Sequence, residues 1–404
     1  MGIRLWWLIH RETRRNSYYL SPIQHSYGWI YLAVKNVRVW YSAFKMPWDK
    51  RYNIQQYDGE RKNKLRMLRE NLVWAFKYKE PCVYYFAYGL DLKKRNPNDY
   101  VGYSEFRMMR NILNIRQREN LNTLYTFNYL ALTRDKFVFY KYCESLGMPC
   151  PKTIALIKNK EITFFDGGKV NMQPIEIVAD HEMDAFCKEI AGESGKGAFS
   201  LEIKSRSIKI NKKPSDINGL REMMGEGAFI VQERLENHGD IDAVYPNSLN
   251  TIKLITFLND DGTVDFFDSV MRFGAGGNNI DNASQGGVFV GIEEDGTLQE
   301  VGFHEPGIRK QLVVNGVHPD TGVRFAGMKI PYWNEILQTS KEFHKFFYGI
   351  PSIGWDIAVT PNGFVFTETG EDWEIPVYQV THGGLREKFY STHGKSLNIR
   401  LRRY

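Results

Sequence analysis

Two carboxylates, Asp356 and Glu368, lie where the sequence predicts a β-hairpin. The runs on either side of Pro361-Asn362-Gly363 alternate as strands do, and these three residues favour a turn. Because both acids are six residues from Asn362, an in-register hairpin sets them opposite one another, with Cβ atoms about 5 Å apart. Such a pair repels unless a positive charge lies between its members, and Mg²⁺ binds one or two carboxylates together with phosphate oxygens. The pair therefore predicts a metal site, and the alternative is a solvated hairpin whose acids meet neighbouring lysines.

Two cations on predicted strands could bind an anion near that metal. The segment 250–257 has the pattern of a strand and carries Lys253, whereas Arg272 comes just before a Gly- and Asn-rich loop. Both side chains are of the type that binds phosphate or stabilises an oxyanion. Taken singly, each could equally be a surface charge.

A loop of small residues, 192–197, lies between two predicted strands. Glycine and serine in such a loop allow backbone N–H groups to converge on phosphate oxygens, and Lys188 would reach the same anion from the first strand. The loop is neither a Walker A motif nor a GxGxxG dinucleotide fingerprint. An ordinary β-turn is the alternative.

The segment 229–240 begins as an apolar strand and runs into the polar stretch 232–235. An extended backbone there could offer N–H and C=O groups to the edge of an adenine ring. The alternative is an ordinary strand end.

A helix is predicted upstream of these strands, within 132–153. Thr133 is the predicted N-cap, and Gly147 with Pro149 ends the helix. The predicted buried stripe consists of Phe139, Cys143 and Leu146. From about residue 154 the pattern becomes strand-rich, so we expect an α+β body behind a mostly helical N-terminal region.

The N-terminal region is basic, because residues 1–120 hold 23 Lys and Arg against 10 Asp and Glu. A basic region of this kind implies an anionic partner. Five apolar residues recur there at helical spacing: Ile30, Val34, Val37, Tyr41 and Phe44. Three cations lie on a neighbouring stripe: Lys35, Arg38 and Lys45. Such a helix either packs on its own domain or lies in the interface of a membrane that contains anionic lipid.

Composition sets the broad class. A chain of 404 residues with 25% charged and 43% hydrophobic residues is typical of a globular protein of two or three domains. Its four cysteines have no CxxC spacing, which predicts reduced thiols in a cytoplasmic protein and no zinc site. No apolar run is long enough for a signal peptide or a membrane span.

The order of these features resembles the ATP-grasp superfamily. Within about 130–375 the chain has a Lys-bearing helix start, a strand with a lysine before a Gly-rich loop, a Gln-Glu strand end, two strands with cations and the two-carboxylate hairpin. Four motifs are similar to those of one branch, the sugar-transfer-associated ATP-grasp proteins of bacterial surface-polysaccharide loci. They are HPDTG (318–322), IP-W near 330–333, GWDIAVTPNG (354–363) and the Glu-containing strand with its continuation to Gln379.

The resemblance implies an ATP-grasp fold in which two α+β subdomains hold ATP between them. It divides the chain into a helical basic region (1–130), a lid subdomain (131–235) and a subdomain with the metal site (236–404). Lys136 and Lys188 would contact the phosphates. The flexible lid over them would include Ser194, Gly195 and Gly197. The adenine hinge would consist of Gln232, Glu233, Arg234 and Leu235.

The resemblance also implies the catalytic and metal-binding residues. Lys253 would neutralise phosphate, Arg272 would stabilise a reacting acyl phosphate, and Asp356 with Glu368 would hold Mg²⁺. The superfamily usually ends its metal strand in Glu-x-Asn, but this chain has Gly370 at the Asn position. Glu371 comes one residue later and would become the third ligand if a bulge at Gly370 turned it toward the metal.

The implied activity is an ATP- and Mg²⁺-dependent ligation of a carboxylate to an amine through an acyl phosphate. The branch implies the joining of an amino acid to a sugar acid, or a similar step on a glycan precursor, in the cytoplasm. Peripheral contact of residues 1–120 with anionic membrane is a further expectation, and a nucleic-acid partner is not expected. Two alternatives are an ATP-grasp phosphotransferase that acts on a hydroxyl and a non-catalytic nucleotide-binding module.

Overall fold

Two antiparallel sheets dominate the described part of the chain. The computed structural model describes residues 36–49, 57–110, 129–158, 160–166, 169–192, 197–305, 312–347 and 349–392. Several sequence predictions concern residues outside these ranges: Ile30, Val34, Lys35, Ser194 and Gly195.

The first sheet has eight strands in the order β3-β2-β1-β8-β4-β5-β6-β7. Its strands are β1 (Thr153–Lys158), β2 (Glu161–Asp166), β3 (Lys169–Pro174), β4 (Met183–Glu189), β5 (Phe199–Lys204), β6 (Ser207–Ile210), β7 (Lys213–Ser215) and β8 (Phe229–Glu233). The 3₁₀ helix Ile175–Asp180 and the α-helix Ile217–Met224 share one apolar cluster with this sheet. The predicted strands on either side of the loop 192–197 are β4 and β5, which pair with each other.

The second sheet has seven strands in the order β13-β12-β11-β10-β9-β14-β15. Its strands are β9 (Thr251–Leu258), β10 (Val264–Phe273), β11 (Val288–Ile292), β12 (Leu298–His304), β13 (Val313–Val314), β14 (Ser352–Thr360) and β15 (Gly363–Gly370). The fully described α-helices are α1 (Lys64–Tyr78), α2 (Ala131–Arg134), α3 (Lys136–Leu146), α4 (Ile217–Met224), α5 (Gly239–Val244), α6 (Trp333–His344) and α7 (Pro376–His382). Helices α3 and α6 contribute to the main apolar cluster on one face of the sheet, and α7 contributes to the cluster on the other. The predicted α+β class is confirmed, whereas the three domain boundaries stay predictions.

The predicted helix at 132–153 divides at Asp135. This residue has an extended backbone and its carboxylate accepts a hydrogen bond from the Val138 N–H (2.9 Å), so Asp135 is the N-cap of α3. The prediction of Thr133 as N-cap is therefore wrong, because Thr133 belongs to the short helix α2. The predicted end is confirmed, since Gly147 has a left-handed backbone (φ 68°).

The N-terminal region packs on the second sheet. Residues of 101–109 and 385–389 share an apolar cluster with Ile255, Phe257 and Phe267 of that sheet. The buried side chain of Gln379 on α7 joins the two parts, because it accepts a hydrogen bond from Val101 N (2.7 Å) and donates one to Val101 O (3.1 Å). The Gln379 position of the sequence motif thus fastens the N-terminal region to the sheet.

In one helical segment of this region, the face that packs differs from the one that the sequence predicts. Residues 36–45 are helical, but the predicted stripe of Val37, Tyr41 and Phe44 is exposed. Val39 and Ala43 are buried instead, against Ala75 and Leu72 of α1. The segment thus packs on its own domain, as one of the two alternatives has it, but through Val39 and Ala43 rather than through the predicted stripe. Within the described ranges, no helix combines the length and the hydropathy that a membrane crossing requires.

Candidate active site

The hairpin of β14 and β15 places Asp356 opposite Glu368, as predicted. The loop of the hairpin is one residue shorter than the sequence predicts, because Thr360 pairs with Gly363 and only two residues lie between them. That register alone would set Asp356 opposite Thr367. A β-bulge between the pairs Ile357–Phe366 and Asp356–Glu368 adds one residue to β15 and restores the predicted partner. The opposed carboxylates are thus a product of the bulge rather than of the turn.

Asp356 is buried between two cations. Its Oδ1 lies 2.7 Å from Lys253 Nζ and its Oδ2 lies 2.9 Å from Arg272 Nη2. Burial raises the pKa of Asp356, but Arg272 and Lys253 outweigh that effect and hold the pKa below its usual value. The repulsion between Asp356 and Glu368 that the sequence suggested is therefore relieved within the protein itself.

Arg272 is oriented by a second acid. Asp281 Oδ2 lies 3.5 Å from Arg272 Nε and accepts hydrogen bonds from the N–H and the hydroxyl of Thr251 (2.9 and 2.5 Å). Thr251 Oγ1 is also 2.6 Å from Arg272 Nη2. Burial raises the pKa of Asp281, and the positive charge of Arg272 opposes the rise. The guanidinium is thus held from both sides with its direction fixed.

The HPDTG motif supports the loop that follows Arg272. His318 is buried and its Nε2 donates to Gly274 O (2.8 Å), while Asp320 Oδ2 accepts from Gly276 N (2.5 Å). Thr321 Oγ1 donates to Val244 O (2.8 Å). The motif therefore has a structural role.

Glu368 lies at the more open side of the hairpin. Its Oε1 is 3.1 Å from Lys136 Nζ, and Lys136 also contacts the carbonyl oxygen of Gly192 at the start of the predicted lid loop. Lys136 comes from the first turn of α3, directly after its cap. One lysine thus connects a predicted metal ligand with the predicted lid.

Lys188 on β4 reaches the bulge of β15. Its Nζ is 3.2 Å from Thr367 O and 3.1 Å from the hydroxyl of Tyr140. Burial lowers the pKa of Lys188 to about 8, and Glu368 and Lys136 act in opposite directions on it. A carbonyl and a hydroxyl neutralise no charge, so this ammonium suits a phosphate better than its present partners do.

Glu371, the third predicted metal ligand, is buried elsewhere. Its carboxylate accepts hydrogen bonds from Thr133 Oγ1 (2.9 Å) and Arg134 Nε (2.6 Å). The pairing of β14 with β15 is regular from Glu368 to Gly370, so the bulge at Gly370 that would turn Glu371 toward the metal is absent. Across the residues that the structure describes, no group of three or more His, Cys, Asp or Glu side chains could hold a metal ion. The three predicted ligands are therefore not brought together, although Asp356 and Glu368 are.

The predicted adenine hinge begins at a buried amide without partners. Gln232 on β8 lies within weak hydrogen-bonding reach of the Tyr140 hydroxyl, yet neither atom of its amide makes a hydrogen bond of good geometry within the described residues. Thr153, its register partner on β1, has a buried hydroxyl in the same condition. Buried polar atoms of this kind usually have a partner, so their donors and acceptors suit a polar ligand.

The next three hinge residues have partners or partial exposure. Glu233 Oε1 accepts from Lys152 N (2.9 Å), and Arg234 N donates to Asp184 O (3.3 Å). Leu235 is half-buried. Gly197, the described end of the lid loop, has a left-handed backbone (φ 72°) that favours glycine.

Several residues of this site have no signal in the sequence. Tyr140 and Thr367 connect Lys188 with the hairpin, and Asp281 and Thr251 orient Arg272. Asp281 stands in a Gly- and Asn-rich loop, where an acid is unremarkable by type or spacing. Thr367 could have been found only by anticipating the bulge.

The chain is similar to one protein family and to several solved structures. A family model described as "Sugar-transfer associated ATP-grasp" matches residues 116–393. Among solved structures, N5-carboxyaminoimidazole ribonucleotide synthetase from Thermotoga maritima is similar at 12% identity and TM-score 0.33, over 60% of this chain and 42% of that one. The VanG D-Ala:D-Ser ligase from Enterococcus faecalis is similar at 14% identity and TM-score 0.38, over 67% and 62%.

D-Alanine-D-alanine ligase from Helicobacter pylori is similar at 11% identity and TM-score 0.37, over 66% of this chain and 61% of that one. The chain thus spans less than two thirds of each of these three structures. No match was found among curated proteins.

Proposed function

Because this chain belongs to the sugar-transfer associated ATP-grasp family, we propose that it is an ATP-dependent ligase that joins a carboxylate to an amine. The ATP would lie between the two sheets, with its phosphates at the hairpin of β14 and β15. The observation that carries the proposal is the convergence of four cations on two opposed carboxylates. The cations are Lys136, Lys188, Lys253 and Arg272.

The charges suit a phosphate chain. Asp356 takes two cations and Glu368 takes one, while Lys188 is held by neutral oxygens. A triphosphate that entered here would give each cation a stronger partner, and the two carboxylates would be released. Catalysis of phosphoryl transfer consists largely of such positioning and charge neutralisation.

The adenine would lie near Gln232, with Lys188 between it and Glu368. Gln232, beside Tyr140, and its cross-strand partner Thr153 offer buried polar atoms without good hydrogen bonds, and Tyr140 touches Lys188. A base that bonded the Gln232 amide would therefore direct its phosphates past Lys188 toward Glu368. The role of β8 as a hinge for adenine is supported by these unmet hydrogen bonds.

In the proposed reaction, a substrate carboxylate oxygen bonds to the γ-phosphorus of ATP as the bond to the bridging oxygen breaks and ADP leaves. The amine nitrogen then bonds to the acyl carbon of the acyl phosphate, phosphate leaves, and the nitrogen gives up a proton. Arg272, fixed by Asp281 and Thr251, would stabilise the charge on the acyl phosphate. Lys253 would neutralise the transferred phosphoryl group.

The chain offers Mg²⁺ two carboxylates, Asp356 and Glu368, on opposed positions of one hairpin. This set fits a cation that takes one or two carboxylates together with phosphate oxygens and waters. Bound there, Mg²⁺ would neutralise negative charge on the β- and γ-phosphates. Glu371, held by Thr133 and Arg134, is not needed for that count.

For the substrates, we propose an acid and an amine derived from a sugar acid and an amino acid, or from a similar glycan precursor. The support is the description of the family as sugar-transfer associated. A role in surface-polysaccharide biosynthesis in the cytoplasm belongs to the same proposal.

Trapping with hydroxylamine tests the reaction. The protein is incubated with ATP, Mg²⁺ and a panel of sugar acids, with hydroxylamine in place of the amine. We expect a hydroxamate and one ADP for each hydroxamate formed, and no hydroxamate when the acid is omitted. A phosphorylated sugar without hydroxamate would contradict the ligase and identify a phosphotransferase.

A second candidate, a non-catalytic nucleotide-binding module, is favoured by one observation. Gly370 stands where the superfamily has a metal-binding Asn, and the next acid, Glu371, is held by Arg134 and Thr133. Tight ATP binding with no Mg²⁺-dependent ADP release on any acid and amine would favour this candidate. Glu371→Gln separates the roles of that acid, because a loss of Mg²⁺ affinity would place it at the metal and a lowered melting temperature alone would leave it structural.

A further inference from the structure

The helical segment 36–48 presents an aromatic and apolar surface to solvent. Val37, Tyr41 and Phe44 have 68%, 63% and 57% of their surface exposed, and Trp40 and Trp48 have 42% each. The opposite side of the same segment is packed, since Val39 and Ala43 are buried against α1. The exposed stripe is thus held outward by an ordered contact on its other side.

Cations border this stripe and acids are absent from it. Residues 36–48 contain Arg38 and Lys45, both exposed, and no Asp or Glu. The Lys45 ammonium lies 5.9 Å from the centre of the Tyr41 ring. Helix α1, which supports the segment, has an exposed stripe of its own with Leu65 and Phe76.

We infer that residues 36–48 dock on the surface of an anionic membrane, with the aromatic stripe in the headgroup layer. Tryptophan and tyrosine favour that layer because one part of each ring system is apolar and another part is polar. Arg38 and Lys45 would lie level with the lipid phosphates, and the excess of 13 positive charges in residues 1–120 would draw the region to an acidic surface.

A bilayer accounts for the pattern better than a second protein surface does. The core of a protein–protein interface is depleted in lysine, whereas an interfacial helix combines aromatic residues with flanking cations. The inference is independent of the catalytic proposal, because none of its residues belongs to the ATP site.

Co-sedimentation of the full chain with vesicles tests the inference. Vesicles of phosphatidylcholine with phosphatidylglycerol are compared with phosphatidylcholine alone, at low and at high salt. We expect binding to the acidic vesicles, weakening by about tenfold or more as salt screens the surface charge. Tyr41→Glu with Phe44→Glu should reduce binding by about tenfold or more, because each glutamate places a charge in the headgroup layer.

Matched control variants carry the same changes on another surface. Val170→Glu with Met172→Glu alters exposed apolar residues of β3 and should leave vesicle binding unchanged. ATP affinity should be unchanged in both double variants, so that failure of docking and failure of the ATP site are told apart. Absence of binding to acidic vesicles at low salt would overturn the inference. Full vesicle binding by the Tyr41/Phe44 variant would also overturn it. The same holds if sedimentation shows a stable dimer for the wild type and a monomer for this variant, because the stripe would then be a contact between two copies.

Discussion

One face of the seven-stranded sheet is divided between two environments. Along β9, Ile255 and Phe257 lie under the N-terminal region and the chain after α7. By contrast, Lys253 and Thr251, two and four residues before Ile255, contact Asp356 and Arg272 in the charged cluster, which we call the cleft. The change from apolar to charged residues occurs within one strand on one face. The residues of β9 thus change from apolar to charged where the packed N-terminal region ends, and the charged half lies at the proposed active site.

Both halves contain a half-buried arginine paired with a buried carboxylate. In the cleft, Arg272 Nη2 lies 2.9 Å from Asp356; in the covered half, Arg386 Nη2 lies 2.6 Å from Glu105. Burial and pairing are similar in the two places, so neither distinguishes a functional charge from a structural one. The surroundings differ, because Arg272 has two lysines and an opposed acid nearby, whereas the hydroxyls of Tyr78 and Tyr390 surround Arg386 and Glu105.

The largest expected effect separates these two arginines. Arg272→Met should lower the rate of ADP release by about 10²–10³-fold, because it removes a preorganised charge from the reacting group. Arg386→Met should leave that rate per folded molecule unchanged. Both variants should lose about 3 kcal/mol of unfolding free energy, because each leaves a buried carboxylate without its arginine. Steady-state ADP release and denaturant unfolding check the pair, and equal loss of activity in both would erase the distinction.

The covered half should respond chiefly in stability. Phe106 is fully buried between Trp373 and Phe389 on the apolar half of the face. Phe106→Ala should lower the free energy of unfolding by about 3–5 kcal/mol, through lost burial and the cavity left behind. The dissociation constant for ATP, measured well below the melting temperature, should be unchanged. A weakened ATP affinity in the folded variant would mean that the cover also shapes the cleft.

A smaller effect is expected at Gln232, in the proposed adenine site. Gln232→Met keeps the volume of the side chain and removes the unpartnered amide. We expect ATP affinity to fall by about tenfold, the cost of roughly one hydrogen bond. The free energy of unfolding should stay level or rise, because a buried amide without partners is removed. Isothermal titration with ATP and denaturant unfolding measure the two effects. A fall in both the ATP affinity and the free energy of unfolding would make Gln232 structural.

The smallest expected effect is a change in proton binding at Lys188. Its pKa of about 8 lies below the ordinary 10.5, so between these values the unfolded chain binds more protons and the free energy of unfolding rises with pH. A phosphate beside Lys188 would raise the pKa again, so ATP binding near pH 8.5 should take up protons. Calorimetry in two buffers of different ionisation enthalpy measures this uptake. Lys188→Met should lack it, and unchanged uptake in that variant would exclude Lys188 as the source.

The sequence is informative where side-chain type and register depend on neighbours in the chain. The alternation around Pro361 and Asn362 predicts the hairpin, whereas the opposed pair of Asp356 and Glu368 also requires the bulge. The bulge at Thr367 is not predictable in this way, because no glycine or other local signal marks it. Its stabilising contacts come from Tyr140 and Lys188, which are distant in sequence.

Contacts over long sequence distances also explain two differences between the expectations and the structure. The apolar stripe with Tyr41 and Phe44 fits a packed helix by periodicity, yet the face that packs on α1 is the smaller one with Ala43. Likewise, Asp356 and Glu368 do not need a metal for neutralisation, since Lys253, Arg272 and Lys136 supply the charge. Periodicity gives the faces of a helix, but which face is covered depends on the rest of the fold.

The central proposal is that the charged half of this face holds Mg²⁺ and the phosphates of ATP. The dependence of ADP release on Mg²⁺ concentration tests it most directly. It is measured at saturating ATP for the wild type, Asp356→Asn and Glu368→Gln, with Glu105→Gln as the control from the covered half. We predict that Asp356→Asn and Glu368→Gln need far more Mg²⁺ and lose most of the rate, and that the control keeps the wild-type curve. Wild-type Mg²⁺ dependence in both cleft variants would contradict the metal assignment and the ligase proposal with it.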